Sequence, residues 1–155
     1  MELEHITKTA LVQASPAAVW EAWTTEAGAR TFFAPDARID LAVYGRYEML
    51  FDLEAPEGSK GGEGCKVLGW QEPRMLAFSW NAPPHLADVR EMKTAVVVLL
   101  VPAGEGATEV RLTHVGWGEG GQWDEAYAYF DVAWDIVMRR LARRFATGPI
   151  DWDAE

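Results

Sequence analysis

From residue 123 to residue 145 one apolar stripe repeats every three or four positions: Trp123, Tyr127, Phe130, Trp134, Val137, Met138, Leu141 and Phe145. That spacing is the period of an α-helix with a single wide apolar face. Asp124 and Glu125 stand in its first turn, while Arg139, Arg140, Arg143 and Arg144 crowd its last turns. This is the order of charge that the helix dipole favours. Gly148-Pro149 then ends the helix. Water does not tolerate so large an apolar stripe, so the residues before it must supply a surface that covers it.

Those earlier residues read as a sheet. Positions 37–43 alternate through Ala37, Ile39, Leu41 and Val43. After the turn at Tyr44-Gly45, positions 46–53 set Tyr47, Met49, Phe51 and Leu53 on one side against Arg46, Glu48 and Asp52, with Leu50 the exception. Period two with one polar face marks an antiparallel sheet wet on one side. Glu54 to Gly64 is a glycine-rich turn, and further strands are expected at about 65–72, 75–81, 92–101 and 107–115. Gly104-Glu105-Gly106 joins the last two, and Ala82-Pro83-Pro84 opens a longer loop. A first strand is expected over 3–13, ending at Ser15-Pro16, an N-cap and a first helical residue. Val19, Trp20 and Trp23 then give a helix of about two turns, and a second spans 26–33, stopping before Ala34-Pro35. The fold class is α+β: a curved antiparallel sheet of about six or seven strands wrapped around a long C-terminal helix, with two short helices after the first strand. No repeat or linker breaks the chain, so one domain over 1–155 is expected.

Charge narrows the partners. With 24 acidic against 14 basic side chains and a net charge of -10, the surface repels phosphate backbones and anionic lipid, so neither nucleic acid nor membrane is an expected partner. No apolar run approaches the roughly 20 residues of a membrane span. The start, Met1-Glu2-Leu3-Glu4-His5, lacks the layout of a signal peptide. One cysteine, Cys65, leaves no internal disulfide and fits a reducing compartment, so a cytoplasmic location is expected. Eight Trp suggest either a roomy aromatic-lined interior or an exposed docking face.

Gly116, Gly118 and Gly121 spell G-x-G-x-x-G between a strand and a helix. A dinucleotide site also needs a second parallel strand after the helix, and none follows here, so the glycines read as the linker that lets the helix fold back. Gly58-Ser59-Lys60-Gly61-Gly62 lacks the phosphate-loop pattern and reads as a hairpin turn. His5, His85 and His114 show no metal-ligand spacing, and neither metal nor cofactor is expected. His114 lies in phase with Val110 and Leu112 and should point inward. It is either a core histidine bonded to a neighbour or the polar handle of a pocket, able to trade a proton near neutral pH.

The ordered set of local motifs resembles the START-like, or SRPBCC, superfamily of helix-grip proteins. Ala14-Ser15-Pro16-Ala17-Ala18-Val19-Trp20-Glu21-Ala22-Trp23 is similar to the helix opening of the branch related to the heat-shock protein 90 ATPase activator. Tyr44-Gly45-Arg46-Tyr47, Leu76-Ala77-Phe78-Ser79-Trp80 and Thr108 to Trp117 follow in the family's order, with Tyr-Gly where Gly-Gly is usual. The resemblance implies an internal cavity between sheet and helix that binds a small hydrophobic molecule. A minority of the superfamily are polyketide cyclases or dehydratases. The eukaryotic namesake contacts a chaperone with an additional N-terminal domain that is not expected in this chain, so chaperone activation is not carried over.

Three functions are therefore weighed. The first is a non-enzymatic binding module for a small apolar ligand, lined by Tyr47, Met49, Phe51, Phe78, Trp80, Val96, Val98, His114, Phe130 and Trp134, with Tyr47, His114 and the Trp80 N–H as polar handles. The second is a cyclase-like enzyme with His114 as general base. The third is a regulatory, co-chaperone-like interaction domain or homodimer anchored by Trp117, Trp123 and Trp152.

Overall fold

The computed structural model describes residues 4–155; Leu3, expected in the first strand, lies outside the described residues. The first strand, β1, is Ile6–Val12. Ser15 caps the next helix, its Oγ accepting from the Ala18 N–H at 3.3 Å, and Pro16 opens it. This helix, α1 (Pro16–Thr24), buries Val19, Trp20 and Trp23. Thr25 both ends α1 and caps α2 (Glu26–Ala29) through its Oγ1 and the Gly28 N–H. The expected helix over 26–33 is thus a single regular turn. Beyond it the N–H groups of Phe32, Phe33 and Ala34 all converge on the Ala29 carbonyl. The chain tightens instead of advancing, and both Phe32 and Phe33 end fully buried.

Next come β2 (Asp36–Ile39) and β3 (Tyr47–Leu50), paired antiparallel with Ile39 opposite Tyr47. Both are shorter than their alternation predicts. After Ile39 the chain turns on itself, with Gly45 N–H bonded to the Ala42 carbonyl, leaving Leu41 and Val43 exposed. At the far end Phe51 and Asp52 both donate to the Lys60 carbonyl, and this turn exposes Phe51 (41%) and Leu53 (45%), which were expected on the buried side. Conversely Glu48 and Leu50, expected on the wet side, are buried. The 51–64 loop covers that second face: Gly64 N–H donates to Glu48 Oε2 at 2.7 Å, and Arg38 reaches Glu48 Oε1 at 3.4 Å.

The remaining strands are β4 (Val67–Gln71), β5 (Met75–Trp80), β6 (Thr94–Pro102) and β7 (Thr108–Val115). With β1 they form an antiparallel sheet in the order β1-β7-β6-β5-β4. A bridge between Arg46 and Lys66 ties the two-stranded ribbon to it, together with backbone bonds from Tyr44 N–H to the Val67 carbonyl and from Val67 N–H to the Gly45 carbonyl, both 2.8 Å. Between β5 and β6 lies one turn of helix, α3 (Ala87–Arg90), which the sequence pattern did not announce.

The last helix, α4 (Gln122–Thr147), matches its expected span. It buries Ala126, Phe130, Trp134, Val137, Met138 and Leu141, while Lys8 of β1 ties Asp131 and Asp135 of its outer face at 2.9 and 3.2 Å. Its glycine-rich entry is needed sterically: Gly116 and Gly121 have φ of 91° and 56°, and a Cβ at Gly118 would sit 2.3 Å from the Trp123 indole nitrogen. The arginine cluster does more than answer the dipole. Arg144 alone stands in the last turn, whereas Arg140 and Arg143 both grip Glu155. No helix among the described residues is long and apolar enough to cross a membrane.

Candidate functional site

The middle of α4 presents one row of side chains, Phe130, Ala133, Trp134, Val137 and Arg140, along its i+3 and i+4 positions. That row forms one wall of a cleft of about 380 Å³. Phe33 and Trp80 form its floor; the 51–61 loop, the Asn81–Pro84 segment and Arg90 form the opposite wall. Ring planes meet here at close range: Phe33 lies 5.7 Å from Trp80 and 5.9 Å from Trp134, and Trp80 lies 5.5 Å from Trp134. The exposed rings of Phe51 and Tyr129 stand at the mouth, so the cleft opens to solvent.

Its far wall is held by one buried cation. Arg90 donates to the carbonyls of Ala82, Gly58 (2.8 Å) and Gly61 (2.9 Å), and lies 3.7 Å from Glu63. Asn81 Nδ2 adds a bond to the Gly61 carbonyl at 3.1 Å. Burial alone would raise the Glu63 carboxyl, but backbone N–H groups of Lys60, Gly61 and Gly58 outweigh it and hold the group below the usual carboxylate range. A glycine-rich loop is thereby made into a defined wall by charges of both signs beneath it.

Of the residues expected to bind, four meet on the cleft: Phe51, Trp80, Phe130 and Trp134. Tyr47, Met49, Phe78, Val96, Val98 and His114 do not line it; all six are buried in the closed core between sheet and helices. The reason is volume. Tyr47 stacks on Phe78 at 4.3 Å and donates its hydroxyl to the Trp23 carbonyl at 2.8 Å, so its polar end is spent inside the protein, and burial pushes the phenol well up.

His114 is spent as well. Trp134 Nε1–H donates to its Nδ1 at 2.9 Å. An indole N–H can only donate, so Nδ1 is bare and the neutral ring carries its proton on Nε2. That proton points to Thr94 Oγ1 at 2.6 Å, and the Thr94 hydroxyl passes the chain on to the Trp80 carbonyl at 3.3 Å. Burial lowers the ring to about 3. With 0% exposure and both nitrogens engaged, the ring is a satisfied core histidine that holds the cleft's Trp134 in place and meets no ligand there.

The tryptophans expected as docking anchors are half-buried and engaged within the chain: Trp117 donates to the His114 carbonyl, Trp152 to the Arg30 carbonyl, and Trp123 packs on Trp117. Sequence reasoning missed Phe33, Arg90 and Arg140 at the site. Arg140 carried a readable signal, since it sits three residues after Val137 in the apolar row.

A sheet closed by one long C-terminal helix, with an aromatic cleft beside that helix, defines a protein of the helix-grip, START-like class. The family model described as Activator of Hsp90 ATPase homolog 1-like protein matches residues 13–146, and the chain belongs to that family. Among solved structures it is similar to the Aha1 dimer from Colwellia psychrerythraea, at 20% identity and a TM-score of 0.71, covering 94% of this chain and 98% of that one. It also resembles PFC0360w, an HSP90 activator from Plasmodium falciparum, at 17% identity and a TM-score of 0.68, with 96% and 99% coverage. DynU16, a protein of the dynemicin biosynthetic locus, matches at 21% identity and a TM-score of 0.66, over 94% of this chain and 48% of its own. At these identities the likeness is one of fold. No curated protein matches the chain.

Proposed function

We propose that the chain is a binding protein that takes a small, mainly apolar molecule into the cleft between α4 and the 51–61 and 81–90 segments. The observation that carries this reading is the cleft itself: about 380 Å³, walled by Phe33, Phe51, Trp80, Tyr129, Phe130 and Trp134. That volume lies in the range of small-molecule sites, which are mostly apolar with a few polar groups for orientation. A two-ring ligand burying about 200 Å² would gain about 5 kcal/mol before the cost of association. An enzyme using His114 as base draws no support from the geometry, because the ring is enclosed and both nitrogens are engaged. Cys65 is buried and pushed up to about 12 by that burial, an inert thiol in keeping with a cytoplasmic setting.

The test is titration with 2-naphthol, indole and biphenyl, read by tryptophan fluorescence and by Tm. Quenching and a raised Tm are expected, and Ala133→Trp, which fills the cleft from α4, should abolish both. If none of the three compounds moves either signal, the reading fails.

A second reading, assembly with a protein partner, draws on the dimer and activator names of the relatives. Leu41, Val43 and Tyr44 are exposed side by side, and Tyr44 N–H is bonded to the Val67 carbonyl at the edge of the sheet. Light scattering that finds only a monomer would remove self-association through this patch.

A further inference from the structure

The charge of the cleft runs against the charge of the chain. Net charge is -10, yet the cleft is lined by Lys60, Arg90 and Arg140 against one carboxylate, Asp52. Two of those cations are committed to the backbone: Arg90 to three carbonyls, and Lys60 Nζ to the Leu53 carbonyl at 2.7 Å. Arg140 is differently placed. It closes the α4 row at one end of the cleft, and its Nε donates to Glu155 Oε1 at 3.0 Å. The same oxygen accepts from Arg143 Nη2 at 2.8 Å. The segment bearing Glu155 is docked by Ile150 N–H on the Thr31 carbonyl (2.9 Å) and Trp152 Nε1 on the Arg30 carbonyl (2.6 Å). The Trp152 ring lies 5.0 Å from the Arg140 guanidinium. A guanidinium offers five donors in a rigid fork. Here one edge is fixed by a carboxylate and a ring, which leaves a positioned cation at the end of an apolar trough.

We propose that the cleft selects aromatic carboxylates, with the ring system laid against the faces that Trp80 and Trp134 turn to the cleft and the carboxylate on Arg140, and that Glu155 is the resident counter-ion that weakens this bond. The proposal rests on the cleft being a ligand site at all. Trp134 and Arg140 stand about 9 Å apart along the helix axis, so a two-ring body with its acid group at one end fits the distance once the arginine side chain reaches back. A neutral ligand of the same shape gains the apolar walls but not the charge-assisted bonds, which are about twice as strong as neutral ones.

The experiment compares naphthalene-2-carboxylate with its neutral amide at pH 7.5, read by tryptophan quenching, as the ratio of the two affinities. The wild-type chain should prefer the carboxylate by about tenfold, the scale of one charge-assisted pair. Arg140→Gln should collapse that ratio towards unity. Glu155→Gln, which leaves Arg140 in place and removes the competing anion, should raise it about threefold, and raising salt should lower it. Glu155→Gln also keeps the proposal open to refutation should Arg140→Gln fail to fold. Equal binding of both probes by the wild-type chain overturns the carboxylate selection but leaves the cleft as an apolar site. Binding of neither overturns both. A ratio unmoved in both variants likewise overturns the role of Arg140.

Discussion

Trp134 has two surroundings, and they are built by opposite means. On its core side the indole N–H meets His114, which meets Thr94, and every polar atom of the relay has a neutral partner. On its cleft side the surroundings are held by charge: in the wall across from it Arg90 lies under the 58–61 turn and Glu63 is capped by backbone N–H groups, and in its own α4 row Arg140 stands against Glu155. The core side has no room for ions, since desolvation there would exceed any return. The cleft side borders water and can use them. The cleft therefore lies where neutral packing gives way to charged loop scaffolding, and the inner network fixes one ring of its wall.

The contrast breaks most severely at Arg90. Arg90→Met keeps much of the side-chain volume but leaves the Ala82, Gly58 and Gly61 carbonyls without this donor and Glu63 without its cation. A loss of about 3 kcal/mol is expected, read as a lower urea midpoint at unchanged m-value. Since the lost bonds all hold the cleft's far wall, probe affinity should fall together with stability. A variant as stable as wild type would show that the 51–61 wall needs no charge beneath it.

The core side is best tested by pH. The folded His114 sits at about 3, below its ordinary 6.5, because burial disfavours the charged ring. Between those values the unfolded chain binds more protons than the folded one, so stability rises with pH across the window and is lost as pH falls through it. The contribution is complete above pH 6.5. About 2 kcal/mol should disappear between pH 6.5 and 5, before the carboxylates held below their usual range begin to titrate. His114→Gln should flatten that slope, whatever its effect on stability at pH 7. If the two chains lose stability in parallel, His114 is not the group responsible.

Much of the molecule was legible because its periodic signals are long. The α4 stripe runs over six turns, and no other secondary structure accommodates it. The sheet strands β6 and β7 were readable from β-branched runs on either side of a Gly-Glu-Gly turn. The site was only half legible, for two physical reasons. Alternation shows which side of a strand is apolar, but not whether the space it faces is filled. Tyr47, Met49, Phe78, Val96 and Val98 face inward and are simply packed. Second, part of the cleft's floor and its other wall are made by segments too short to carry a period: the turn at Phe33, the four residues of α3, and the 58–61 turn. Arg90 acts there mainly through backbone carbonyls, which leave no mark in the sequence, and its one carboxylate neighbour, Glu63, lies 27 positions away in a loop without a period.

The smallest expected effect gives the comparison its sharpest edge. Arg38 and Glu57 form a two-bond ion pair, 2.8 and 3.3 Å, which like Arg90 ties the 51–64 loop to the body of the protein. Unlike Arg90 it stands in water, with side chains 34% and 61% exposed. Exposed pairs contribute about 0–1 kcal/mol because solvent already satisfies both charges and ordering two long side chains costs entropy. Glu57→Gln should therefore leave the urea midpoint almost unmoved, and 1 M salt should erase whatever difference remains. Probe affinity should move little, since Arg90 still holds the turn. A larger cost, insensitive to salt, would mean that the outer strap rather than the buried arginine sets the position of the cleft wall, and the division drawn between neutral core and charged scaffold would need to be moved outward to the surface of the loop.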